Sequence, residues 1–222
     1  MSDAVLSSPG GRRGAALLGS VALLVASGCS SAEDVIDADA SRGTVTTSNE
    51  GTTTPVVVGG GCDDEQGNPA AGPDHVDPGA AVDYDGVPPV SGIHWAQWPD
   101  ISKPVYVAEE RPELGELVHS QEHGWTFIWY DDSVAADEQA MEDLGEVAEG
   151  LDDRKTVAIP WTSDDGGALP DGKHIAITHW SAEGVSDVGT EWRQFCTSAD
   201  ADTIRAFTER HPPTDALEPN AP

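Results

Sequence analysis

Apolar positions in the second half of the chain recur at two spacings. Leu114, Leu117, Val118 and Gln121 follow three-and-four spacing, a mostly apolar stripe. Pro112 suits a first helical position, and Glu113 and Glu116 place negative charge where the helix dipole favours it. Gly115 weakens the helix by about 1 kcal/mol relative to Ala, and Gly124 can take the left-handed stop conformation. The pattern predicts a helix over 112–123 and, from the aromatic and β-branched run WTFIWY, a buried strand over 125–130. Ala140, Leu144, Val147 and Leu151 predict a helix over 134–151, with capping side chains at 131–133. Ala201, Ile204 and Phe207 predict another over 200–210, stopped by Pro212 and Pro213.

Short apolar runs predict strands at 104–107, 156–161 and 173–180, while 187–195 fits neither period. Along 173–180 the two-residue period puts His174, Ala176 and Thr178 on one side and Ile175, Ile177 and His179 on the other. Against a one-sided core only one of these histidines faces inward, and the neighbouring Trp180 favours His179. The order of elements predicts an α+β fold: a single domain with a mainly antiparallel sheet and two or three helices packed on one face.

The N-terminal third has a different character. Residues 1–28 read as an export signal, with Arg12 and Arg13 before an apolar run too short to span a membrane stably. The run ends Ala26-Ser27-Gly28-Cys29, which resembles a lipoprotein processing site with Cys29 as the acylated residue. Residues 29–72, rich in Ser, Thr, Gly, Asp and Pro, read as a disordered tether. The folded domain is expected over 73–212, followed by a polar tail over 213–222. With Cys29 lipidated, Cys62 and Cys196 remain as an even pair, and export favours a disulfide between them. A formal charge of −29, from 40 acidic against 11 basic residues, argues against nucleic acid as a partner. The membrane, reached through the lipid, is the expected partner, and a protein partner stays unidentified.

Candidate chemistry concentrates at 119–123. On a helix His119 and His123, four apart, have Cβ atoms about 6 Å apart on one face; in a strand they would be about 13 Å apart. With Glu122 they spell H-x-x-E-H, the pattern of a zinc peptidase with glutamate as base. The plain alternative is a pair of polar residues at a helix end. His94 follows Gly92 on a loop stiffened by Pro88 and Pro89, from which it can turn toward the pair. His179 and Met141 are further candidate ligands; imidazoles suit copper or zinc, and a thioether tilts toward cuprous ion. Ser91 and Ser120 lie near histidines without a nucleophile-elbow sequence.

Several of these residues fall in longer motifs: His75-Val76, Ser91-Gly92-x-His94, and His119-Ser120-x-Glu122-His123-Gly124 followed by the aromatic strand. Together, from about residue 73 to 211, the chain resembles the bacterial domain-of-unknown-function family number 3105, found in exported or membrane-anchored proteins. The resemblance implies an envelope location and no established activity.

Three functions fit the sequence. One is an extracytoplasmic lipoprotein binding copper or zinc. Another is a non-catalytic structural or interaction domain. The third is a metal-dependent hydrolase with Glu122 as base. Mass spectrometry of the protein from its native membrane is expected to find acylated Cys29 at the mature N-terminus. A soluble mature chain cleaved elsewhere would refute the lipid anchor.

Overall fold

The computed structural model describes residues 61–151, 154–184 and 188–222; residues 1–28, read as an export signal, and Cys29 lie outside the described residues. The strands are β1 (Gln66–Pro69), β2 (His75–Val76), β3 (His94–Trp95), β4 (Thr126–Tyr130), β5 (Thr156–Pro160), β6 (Ile175–Ser181) and β7 (Thr190–Cys196). The helices are α1 (Leu114–Glu122), α2 (Asp132–Ala135), α3 (Glu138–Glu149) and α4 (Ala201–Arg210). The fold is α+β. None of the described helices is long and apolar enough to cross a membrane.

The main sheet runs β1-β7-β6-β4-β5, with β4 and β5 parallel and every other pair antiparallel. A parallel pair needs a crossover, and α2 and α3 supply it. The expected single helix 134–151 is interrupted because the Asp137 side chain accepts from the Gln139 and Ala140 amides and caps a new helix.

Helices cover both faces, not one. Ile128, Tyr130, Ala158, Ile175 and Ile177 pack on Leu144 and Ala148 of α3 and Ile204 and Phe207 of α4. The alternate positions Phe127, Trp129, Val157, Ile159 and Ala176 pack with Leu117 of α1. Every residue of β4, β5 and β6 is therefore buried. The alternation that reads as inside and outside on a one-sided sheet here separates two interiors.

The fold reaches beyond 73–212 at both ends. β1, in residues read as tether, pairs with β7, and beside it Cys62 and Cys196 form a disulfide across 134 residues of sequence. The run 187–195, which fitted neither period, contains most of β7. At the other end, residues read as a polar tail fold back: Ala182 donates to the Asp215 carbonyl (2.6 Å), Glu218 donates to the Glu122 carbonyl (3.0 Å), and Ala216 is buried.

Candidate metal centre

The site is built on α1. The Glu113 amide donates to the Glu116 carboxylate (3.2 Å) at the helix start, one residue past Pro112. Gly124 ends the helix with φ +92°. A polar chain fixes α1 to the sheet: Trp129 Nε1 donates to Thr178 Oγ1 (2.8 Å), Thr178 Oγ1 donates to Gln121 Oε1 (2.8 Å), and Gln121 Nε2 donates to the Pro89 carbonyl (3.0 Å). Gln121 is fully buried, so these bonds also hold the Pro88–Pro89 loop in place. Gly115 lets the indole of Trp95 lie against the helix; a Cβ there would come within 2.7 Å of the ring.

That contact brings β3 alongside α1, and β3 pairs in parallel with β2 so that His75 stands beside His94. Four imidazoles meet. Ring centroids are 4.6 Å apart for His75 and His94, 4.7 Å for His75 and His119, 4.8 Å for His94 and His119, and 4.5 Å for His119 and His123. Trp98, 46% exposed, lies over His119 and His123, its ring centroid 5.3 Å from each.

Three of the rings are oriented by main-chain carbonyls. His94 Nδ1 is 2.7 Å from the Gly92 oxygen, His119 Nδ1 is 2.6 Å from the Trp95 oxygen, and His123 Nδ1 is 3.2 Å from the Pro222 oxygen. A carbonyl only accepts, so each Nδ1 carries the hydrogen and Nε2 is left as the ring atom that faces the cluster. Glu122, 3% exposed, lies in their midst: its Oε2 is 3.1 Å from His94 Nε2 and 3.5 Å from His75 Nε2. Ligand atoms of His75, His94, His119 and Glu122 all lie within 4.8 Å of one another. Tetrahedral ligands at zinc distances are about 3.3 Å apart, between the two contacts to Glu122.

The electrostatics suit a ligand set. Burial is the main cause that pushes His119 down to about 4; the Trp95 carbonyl opposes it, and His123, His94 and His75 add to it. The ring is thus neutral, as metal binding requires. Burial works to raise the Glu122 carboxyl, but the His94 contact and the fields of His94, His75 and His119 hold it below its ordinary value. Burial lowers His123, against the Pro222 carbonyl, Glu218 and Glu122; Lys155 adds to the lowering.

The expected residues divide. His94 and His119 come together with Glu122. His123 touches His119 but groups with Glu122 and Glu218. His179 and Met141 do not reach the centre. His179 shares its face of β6 with Ile175 and Ile177, toward α3 and α4, where it contacts Thr126 Oγ1 (2.9 Å) and stacks on His211. Met141 lies on α3 against the same core. Ser91 donates to Glu191 (2.6 Å) and Ser120 to the Glu116 carbonyl (3.0 Å), so neither is paired as a nucleophile with a histidine. His75 and Glu218 were not among the expected ligands. His75 sits on a strand too short to show a period, and its one signal was the His-Val motif. Glu218 lies in residues read as tail.

Residues 75–222 match the family model described as Protein of unknown function (DUF3105), a span that contains every residue of the centre. No curated protein and no solved structure matches the chain.

His179 gives the far face of the sheet a distinct behaviour. Burial, with His211 adding, pushes it down to about 3. Of the neighbouring charged groups, Glu65 and Arg210 lie beyond His211, bonded to one another. The unfolded chain binds a proton on this ring near pH 6.5 that the fold refuses, so its contribution is complete above pH 6.5 and lost as pH falls toward 3. Between pH 5.5 and 4.5, denaturant unfolding is expected to lose about 1.4 kcal/mol per pH unit more in the wild type than in His179→Gln. Parallel pH profiles would contradict this.

Proposed function

We propose that this chain, which belongs to the DUF3105 family of proteins of unknown function, is a lipid-anchored extracytoplasmic protein that binds a divalent copper or zinc ion through His75, His94, His119 and Glu122. The observation that carries the reading is the His94–Glu122 contact. With Nδ1 committed to Gly92, Nε2 faces a carboxylate oxygen 3.1 Å away. Two lone pairs at that distance repel unless a proton or a cation lies between them. A cation satisfies Glu122, His94, His75 and His119 at once. The carbonyls behind His94 and His119 then act as the outer partners that fix a ligating histidine's tautomer and raise its basicity.

The donor set narrows the metal. Three imidazoles and a carboxylate, with neither thiolate nor thioether in the group, suit Zn(II) or Cu(II) better than cuprous ion. Glu122 stands among the ligand atoms, which does not fit a free general base, so the geometry favours holding a metal over peptide hydrolysis. The formal charge of −29 raises the local concentration of cations around the protein. The export signal and Cys29 support an anchored location, and the Cys62–Cys196 disulfide supports an oxidising one.

Chelator-stripped protein is to be titrated with Zn(II), Cu(II) and Cu(I), with tryptophan emission, including that of Trp98, as one readout. Zn(II) and Cu(II) are expected to bind, and His94→Ala or His119→Ala to weaken binding by roughly 100-fold or more, with circular dichroism confirming that the variants fold. Met141→Leu and His179→Gln are expected to bind as the wild type does. Wild-type binding no tighter than that of His94→Ala would leave these histidines a structural role.

A further inference from the structure

We infer that the centre holds two cations, with Glu122 as the carboxylate they share; this rests on the metal-binding reading above. Glu122 belongs to two ligand groups, one with His75, His94 and His119, the other with His123 and Glu218. The second group repeats the arrangement of the first. The His123 side chain is 2% exposed, its Nδ1 is committed to the Pro222 carbonyl, and its Nε2 faces Glu218 Oε2 at 3.4 Å. A buried imidazole nitrogen again faces a carboxylate oxygen, across the span of two ligands on one ion.

Glu218 is held there by the main chain. Its amide donates to the Glu122 carbonyl (3.0 Å), which ties the returning C-terminal segment to the end of α1. Lys155 Nζ bonds the carbonyls of His123 (2.8 Å) and Ala221 (2.8 Å), joining the same two segments. Its ammonium opposes a cation nearby, but two carboxylates face that single charge. One carboxylate has two oxygens, and bridging carboxylates hold metal pairs about 3.5–4 Å apart.

The two positions differ in character. The first has four protein ligands, three of them imidazoles. The second has His123 and two carboxylates, and the Glu218 side chain is 55% exposed, which leaves room for solvent in its coordination shell. The second cation is therefore the weaker and more exchangeable of the two, a divalent ion that accepts mixed nitrogen and oxygen donors.

Stoichiometry separates this inference from the reading beneath it. The purified full chain, stripped and dialysed against excess Zn(II), is expected to retain about two equivalents by elemental analysis; Glu218→Gln and His123→Ala are expected to retain about one, and Glu122→Gln to lose the shared site. With Cu(II), the wild type is expected to show a spin-coupled pair by electron paramagnetic resonance, and Glu218→Gln the signal of an isolated ion. One equivalent in wild type and Glu218→Gln alike would overturn the second cation and leave the first. So would two equivalents that Glu218→Gln and His123→Ala do not reduce. Two equivalents with uncoupled spins would overturn the bridge, and no retained metal would overturn both readings.

Discussion

A carboxylate taken out of water has to be compensated where it sits, because an isolated buried charge costs many kcal/mol. Glu122 is such a group, and the architecture around it reads as the set of segments needed to compensate it. His119 comes from its own helix, and His94 and His75 from two paired two-residue strands; Glu218, from the last described residues, adds a second carboxylate beside His123. None of these short segments has enough local structure to hold itself in place. They converge because α1 is fixed to the sheet through Thr178, Gln121 and Pro89, and because Trp95 lies flat on the helix at Gly115.

The two faces of the sheet divide the work. The face toward α3 and α4 is an apolar core in which Met141 is filler and His179 a buried, neutral ring. The face toward α1 carries the candidate metal ligands, where His75 is partly exposed and Trp98 covers His119 and His123. The disulfide lies at the β1 edge of the sheet beside β7, and neither cysteine belongs to the candidate metal centre.

Much of this was legible in the residues. Periodicity located α1, α4 and the central strands, and four-residue spacing aligned His119 with His123. What escaped was whatever depends on contacts between distant segments. The break before α3 rests on one capping aspartate that an unbroken apolar stripe conceals. Strand alternation put His179 on the face of Ile175 and Ile177, where it lies buried, but alternation is the same whether one or two faces are covered, so it did not show that α1 and His119 lie on the other face. His75 enters through a two-residue strand paired with His94, 19 positions along the chain in sequence and without a pattern of its own. Glu218 enters through a segment whose composition reads as solvent-exposed and whose place is set by bonds to distant residues, among them those to Glu122, Lys155 and Ala182.

The central claim is that nitrogen from these histidines and oxygen from Glu122 form the inner shell of a bound ion. X-ray absorption fine structure of the zinc-loaded protein tests it most directly. A shell of nitrogen and oxygen scatterers at about 2.0–2.1 Å is expected, with the outer-shell pattern of several imidazoles and no sulfur. A sulfur scatterer near 2.3 Å, or a shell without imidazole features, would contradict it.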